Sequence, residues 1–301
     1  MKFGLIGYPI GHSLSPALFR AGYDGRYRYD LIETDDFEEA YSRFVKGYDG
    51  INVTAPFKEL AYSKADIVSE ECRLIGATNL LIKTPEGITA YNSDFRGLCL
   101  WLRRSAGTEG QKSVLPPWPQ GVGPAPKEWE WFFSAPQYPL TPNVKVLIAG
   151  LGGAGKAAAA AAWSLGMKMT LMNRDISKAH DMAHRLGQFE NNTIRIRPLS
   201  EFREAFREAD IIIYNLPVQI PQLHSLTDKD FMVNGEAKRK HILEANYKVP
   251  SFDKDILDRM SAANPEAKYT EGKIWLLLQA VTGYEIFTGE KPDLSKMTEQ
   301  I

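Results

Sequence analysis

Lys58 stands in the run Asn52-Val53-Thr54-Ala55-Pro56-Phe57-Lys58, where a strand pattern ends in polar residues and Pro56 opens a helix carrying the lysine in its first turn. An ammonium there faces the positive end of the helix macrodipole, which disfavours the charged form and brings the amine toward proton-transfer range. Asp94, in Asn92-Ser93-Asp94, closes another strand before a helical stretch. Alone it would cap that helix; beside Lys58 it completes a proton-handling pair in which the carboxylate orients the amine. Ser13 and Ser15, in Gly11-His12-Ser13-Leu14-Ser15-Pro16, place two neutral donors in one loop, a spacing suited to a substrate carboxylate. Helix capping is the other role open to Ser15. Gly76-Ala77-Thr78-Asn79 adds a loop amide, while His12 has no nearby carboxylate to orient it and is read as structural.

A second constellation is Gly150-Leu151-Gly152-Gly153-Ala154-Gly155, a G-x-G-x-x-G run that follows a strand pattern and opens an alanine-rich helix. In that context the first glycine makes the turn, the second admits a pyrophosphate, and the third lets helix and strand pack closely. The phosphates then lie on the helix N-terminus. After the next strand come Asn173 and Arg174. A guanidinium fork suits a 2′-phosphate, so NADP(H) is the expected cofactor. The adjacent Asp175 leaves NAD or dual use as the alternative.

These residues need a frame. Phe3 to Ile6, Tyr27 to Leu31 and Gly50 to Val53 read as strands, Phe37 to Lys46 as a helix, and Leu80 to Ala90 as a hairpin around Glu86-Gly87. Phe95 to Arg104 reads as the next helix. Eight of the 18 prolines and three of the six tryptophans then fall between Pro116 and Pro142, a density that prevents regular structure and marks a loop at a domain boundary. From Asn143 a second alternation begins, with strands at Val144 to Ala149, Met169 to Met172, Ile194 to Ile196, Ile211 to Tyr214 and His241 to Leu243, and a long apolar helix over Ile274 to Phe287. The expected fold is two-domain α/β. Residues 1–104 and 272–301 form an N-terminal open α/β substrate domain, 105–142 an insertion or linker rich in proline and tryptophan, and 143–271 a Rossmann-type NADP-binding domain.

Composition narrows the partners. With 36 Lys+Arg against 37 Asp+Glu the net charge is -1, which removes the global electrostatic reason to expect nucleic acid or an acidic membrane. Two cysteines, Cys72 and Cys99, are too few for a disulfide scaffold and are not spaced as a metal site. No signal peptide or membrane-spanning run is expected, so the chain is read as cytoplasmic, a monomer or homodimer acting on a small molecule.

The motifs in combination resemble the shikimate dehydrogenase family over roughly residues 1–101 and 143–287. They are Ser13-x-Ser15, Asn52-Val53-Thr54-x-Pro56-x-Lys58, Gly76-Ala77-x-Asn79, Asn92-x-Asp94-x-x-Gly97, the glycine loop, Asn173-Arg174, and Gly272 with Gln279-Ala280. The resemblance implies a substrate pocket in the cleft between the domains. There Ser13 and Ser15 would bind the shikimate carboxylate, with Tyr247 near it. Thr54, Asn79, Asp94 and Gln279 would hold ring hydroxyls, and Lys58 and Asp94 would be the catalytic pair. Gly150, Gly152, Gly153, Ala154, Gly155, Asn173, Arg174 and Asn215 would bind the cofactor, and no metal is implied. On the nicotinamide side the chain departs from the family pattern at Tyr214-Asn215-Leu216-Pro217, at Glu244 and at Gly272-Lys273-Ile274-Trp275. The implied activity is reversible NADPH-dependent reduction of 3-dehydroshikimate to shikimate. The alternatives are an NAD-dependent quinate/shikimate dehydrogenase, and a non-catalytic metabolite-binding regulator that keeps the pocket.

Overall fold

The computed structural model describes residues 1–106, 143–187, 194–233 and 235–301. Nearly all of the expected insertion lies outside the described residues. Within them the chain divides into two compact units, Met1–Gly97 with Leu276–Ile301, and the intervening chain from Leu98 to Trp275. The division falls inside two helices, not in the loops at their ends. No helix among the described residues is long and apolar enough to cross a membrane.

The first unit runs β1 (Lys2–Gly7), α1 (Ser15–Gly22), β2 (Arg28–Glu33), α2 (Phe37–Gly47), β3 (Gly50–Val53), α3 (Lys58–Ser63), β4 (Ile67–Val68), α4 (Glu70–Ile75), β5 (Leu80–Thr84), β6 (Gly87–Tyr91) and the start of α5 (Ser93–Ala106). Its six strands lie in the order β2-β1-β3-β5-β6-β4. β1 is parallel to β2 and β3, whereas β5 runs antiparallel to both β3 and β6. This register has a consequence for function. The pairs Asn52↔Leu80 and Leu80↔Tyr91 bring the end of β3, the start of β5 and the end of β6 to one edge of the sheet. The loops after Val53, before Leu80 and after Tyr91 therefore converge there.

The second unit holds β7 (Lys145–Ala149), α6 (Gly153–Ser164), β8 (Lys168–Met172), α7 (Ser177–Arg185), β9 (Ile194–Ile196), α8 (Phe202–Glu208), β10 (Ile211–Tyr214), α9 (Pro221–His224), β11 (Lys240–Glu244), α10 (Lys254–Ala263) and β12 (Ala267–Thr270). Its strands are all parallel, in the order β12-β11-β10-β7-β8-β9. That is the doubly wound order with its switch point between β7 and β10. Ala157 to Ala162 of α6 are all buried, so small side chains let the helix lie close on the sheet. The core beneath α8 and α10 is aromatic, with Phe202, Phe206, Tyr214, Phe231 and Phe252 buried together.

The chain then enters α11 (Gly272–Thr288) and α12 (Leu294–Thr298). From Leu276 onward it belongs to the first unit, where Leu277, Ala280, Tyr284 and Phe287 pack with Phe3, Leu18 and Phe19. Phe3 and Phe287 stack with ring centroids 4.8 Å apart. Gly97 and Gly283 permit the crossing of α11 over α5, since a Cβ at Gly97 would lie 2.9 Å from the Gln279 amide nitrogen and one at Gly283 3.0 Å from Ser93 Oγ.

Candidate active site

In the first unit the Lys58 amine and the Asp94 carboxylate meet, Nζ donating to Oδ2 at 2.5 Å. The side chains are only 17% and 11% exposed, so the pair is largely withdrawn from water. The expected helix start shifts: α3 begins at Lys58 itself, and Pro56 sits in the preceding turn. Phe57 N–H donates to the Thr54 carbonyl, and the Lys58 carbonyl accepts from Thr78 N–H, which ties the lysine's backbone to the next loop. Asp94 does not cap α5. Asn92 Oδ1 takes the Phe95 N–H instead, which leaves the Asp94 carboxylate to the amine.

Beside this pair lies an amide and hydroxyl cluster. Asn79 Nδ2 donates to Ser93 Oγ at 2.9 Å and to Gln279 Oε1 at 3.4 Å, and Ser93 Oγ donates to the same Gln279 oxygen. Ser93 N–H returns to Asn79 Oδ1. Asn52 Nδ2 donates to the Asn79 carbonyl, and its Oδ1 accepts from Tyr29 OH at 2.8 Å. Ser93, Asn52 and Tyr29 extend the expected set. The first two stand inside the motifs that flag Asp94 and Lys58, whereas Tyr29 reads only as a strand residue and carries no sequence signal. Thr54 is partly buried and crosses Gly7 so tightly that a Cβ at Gly7 would overlap its methyl.

Ser13 Oγ donates to Ser15 Oγ at 3.2 Å and accepts from Ser15 N–H. The capping role for Ser15 is not realised. α1 begins at Ser15, its N-cap is Leu14 with no side-chain cap, and Pro16 follows within the first turn. The buried Tyr284 hydroxyl donates to the Ser15 carbonyl, and burial holds the Tyr284 and Tyr29 hydroxyls well above the usual phenol range. Both therefore act as neutral donors, Tyr284 to the Ser15 carbonyl and Tyr29 to Asn52 Oδ1.

In the second unit the glycine loop leaves β7 and opens α6. Gly150 has φ +96, and a Cβ there would lie 2.9 Å from the Asn215 carbonyl. A Cβ at Gly155 would overlap the Gly150 carbonyl oxygen, whereas one at Gly152 would meet nothing within 4 Å among the described residues. The first and third glycines thus serve packing, and the second borders open space at the helix N-terminus, where a pyrophosphate fits. Gly153 and Ala154 form the first turn of α6. Asn173 Oδ1 accepts from Leu151 N–H at 3.0 Å and pins the loop to the end of β8. Arg174 is exposed there. Asp175 is engaged otherwise: it accepts from Ser177 N–H and Oγ, and these bonds hold its carboxyl below the usual range. Asn215, at the end of β10, has both amide atoms buried with no partner among the described residues. A buried amide left without a partner calls for an explanation, and its place against the glycine turn makes Asn215 a candidate to hold a polar cofactor group.

Tyr247 lies in the loop after β11, half-buried, with burial pushing its hydroxyl up. Glu244 anchors that loop: its carboxylate accepts from Ser251 N–H, from Phe252 N–H at 3.2 Å and from Tyr269 OH at 2.8 Å.

An all-parallel, doubly wound unit with a glycine loop, in one chain with a mixed-sheet unit that carries a lysine–carboxylate pair, defines the class of two-unit α/β proteins with a Rossmann-type sheet. The chain belongs to the shikimate dehydrogenase family. A model of the shikimate dehydrogenase substrate binding domain matches residues 5–81, and one of shikimate / quinate 5-dehydrogenase matches residues 137–242, together more than half of the chain. The shikimate dehydrogenase (NADP(+)) of Acidiphilium cryptum is 35% identical over 190 residues, which cover 61% of this chain and 57% of that relative's length. Among solved structures, a quinate dehydrogenase from Corynebacterium glutamicum in complex with NAD matches with a TM-score of 0.73 at 21% identity, covering 100% of this chain and 98% of that one. A shikimate 5-dehydrogenase from Thermus thermophilus in complex with NADP(H) and shikimate matches with a TM-score of 0.71 at 23% identity, again over 100% and 98%. At these identities the structures establish the shared fold.

Proposed function

We propose that the protein is a shikimate dehydrogenase, an NADP-dependent oxidoreductase that interconverts 3-dehydroshikimate and shikimate. The observation that carries this is the Lys58–Asp94 pair at 2.5 Å, set in the same unit as the Asn79–Ser93–Gln279 cluster and the paired serines. Family membership and the name of the relative at 35% identity point to the same chemistry.

The residues divide the work. Ser13 and Ser15 hydroxyls donate to the substrate carboxylate, and Tyr247 is assigned to the same group. Thr54, Asn79, Asp94 and Gln279 hold ring hydroxyls and so fix which ring carbon faces the reductant. NADPH, when bound, supplies the hydride to the ketone carbon. Negative charge then develops on the ketone oxygen, and Lys58 Nζ gives it a proton, leaving a neutral amine. Asp94 orients that amine and stabilises its charged form before transfer. In the reverse direction the neutral amine takes the hydroxyl proton.

The second unit fits the cofactor by the open space at Gly152 and the orphaned Asn215 amide. Arg174 is the 2′-phosphate ligand, and because Asp175 is spent on Ser177 it is poorly placed to receive a ribose 2′-hydroxyl. The protein acts on a small molecule in the cytoplasm, as a monomer or homodimer, with residues 1–104 and 272–301 as its substrate domain and 143–271 as its cofactor domain.

The test is NADPH oxidation followed with 3-dehydroshikimate, in the wild type and in Lys58→Ala. Turnover is expected in the wild type, and the variant should lose about 10²- to 10⁴-fold in kcat while KM changes little. A wild type silent on 3-dehydroshikimate, or a variant with near-normal kcat, overturns the assignment. Faster turnover with quinate and NAD would move it to the alternative dehydrogenase.

A further inference from the structure

A cluster of buried charge lies under the start of α5, in the first unit. Ser93, Arg96 and Gly97 share one face of that helix, whereas Asp94, two residues before Arg96, points elsewhere to meet Lys58. Gln279, Thr282 and Glu285 are spaced at three residues along α11 and share a face of it. The two faces meet: Ser93 Oγ donates to Gln279 Oε1 at 3.1 Å, and Thr282 Oγ1 donates to the Ser93 carbonyl at 3.4 Å. One step further along the same contact stand Arg96 and Glu285, both buried. Arg96 also reaches the buried Glu71 in the first turn of α4, Nη2 to Oε1 at 3.4 Å, and lies over the Tyr91 ring. One guanidinium is thus shared between two buried carboxyl groups. Each helix in the cluster serves the site: α4 leads into the Asn79 loop, α5 carries Asp94 and α11 carries Gln279.

Packing alone does not call for this arrangement, because a buried charge is costly unless it is well paired. Glu285 is not: its Oε1 has no partner among the described residues. Tyr23 of α1 faces Glu285, while Cys72 of α4 and Tyr91 of β6 face Arg96 and Glu71. Burial raises all three above their ordinary ranges, so they stay neutral. Glu285 is the group of the cluster that changes charge near neutrality, since burial pushes its carboxyl up to about 7 against the pull of Arg96. While Glu285 holds its proton, Arg96 belongs to Glu71 and ties the start of α5 to α4. Once ionised, Glu285 draws on the same guanidinium from α11. We propose that Arg96 is a positioning residue for Asp94, and that the charge on Glu285 decides how firmly Glu71 holds it. The inference rests on the reading above, in which Asp94 orients Lys58.

The pH profile of kcat for 3-dehydroshikimate reduction by NADPH separates this from a structural role. Glu285→Gln keeps the shape of the side chain and cannot ionise. Its kcat should match the wild type within about twofold at pH 6 and exceed it roughly three- to tenfold at pH 8, because a small displacement of a catalytic group is enough to slow the reaction. The KM for NADPH should be the same in both proteins. Any effect of pH on Lys58 itself is common to the two and cancels in the ratio. A ratio that stays flat from pH 6 to pH 8, or a KM for NADPH that moves with kcat, overturns the proposal. A second variant works from the other side. Glu71→Gln releases Arg96 from α4 and should lower kcat roughly three- to tenfold already at pH 6, where Glu285 is protonated. Normal kcat there would equally reject a positioning role for Arg96. The Glu285→Gln profile decides the matter even where Glu71→Gln fails to fold. A wild type silent on 3-dehydroshikimate at every pH would sink the dehydrogenase reading itself, a different failure.

Discussion

At the scale of single residues, the side chains with a free choice of partner carry the most functional information. Ser15 illustrates this, because a serine before a proline at a helix start suggests capping, yet Leu14 occupies the N-cap and the Ser15 hydroxyl accepts from Ser13 Oγ and lies against the Tyr29 and Tyr284 hydroxyls. Arg174 and Asp175 form a similar contrast. The carboxylate accepts from Ser177, whereas the guanidinium is exposed beside the glycine loop. Arg174→Ser should therefore raise the Kd for NADP⁺ about 10- to 100-fold, the scale of losing hydrogen bonds to a charged group, and leave the Kd for NAD⁺ almost unchanged. Titration of both dinucleotides decides it, and an equal loss for both would remove Arg174 from the 2′-phosphate site. That Lys58 and Asp94 would meet was legible from residue type and position at strand ends. The part of Tyr29 was not, because a tyrosine alternating in a strand gives no sign that its hydroxyl will reach Asn52 on β3.

At the scale of elements, periodicity located the strands that are long and apolar, with β3 and β10 matching their expected bounds. It missed the two-residue β4 and the half-buried β12, whose short or polar sequences join a sheet only because a neighbour offers an edge. It also placed the start of α3 at Pro56, two residues early. The glycine loop permits a sharper test of element packing. Gly155 abuts the Gly150 carbonyl across the join between β7 and α6, whereas Gly152 borders open space. Gly155→Ala forces backbone apart and should lower both melting temperature and NADP⁺ affinity. Gly152→Ala, whose φ of -72 suits any L-residue, should melt like the wild type and lose NADP⁺ affinity alone. Calorimetry and titration on the pair check this. If Gly152→Ala binds normally, that edge of the loop does not face the phosphates.

At the scale of the whole molecule, the net charge of -1 conceals ionisable groups that folding removes from water. Glu285 of α11 is 1% exposed, and its Oε1 has no partner among the described residues. Burial pushes its carboxyl up to about 7, against the pull of the Arg96 guanidinium. Arg96 offsets this only in part, because it also faces the buried Glu71 carboxylate at 3.4 Å. Since the folded-state value lies above the unfolded one, the neutral carboxyl's contribution to stability is complete in acid and is lost as pH rises from the ordinary glutamate range toward 7. Lys240 in the second unit shows the opposite dependence. Burial lowers its ammonium from 10.5 to about 7, so its contribution is complete in strong alkali and is lost as pH falls toward 7. Together the two leave the protein least favoured by these groups near neutrality. Glu285→Gln keeps the shape without the ionisation, so its advantage over the wild type should be small at pH 5 and grow by pH 8. A change on the order of 1 kcal/mol corresponds to about 2–4 °C for a protein of this size. Thermal unfolding of both proteins at the two pH values measures it. A difference that stays constant with pH would mean that the Glu285 carboxyl is already ionised in the folded chain at pH 5.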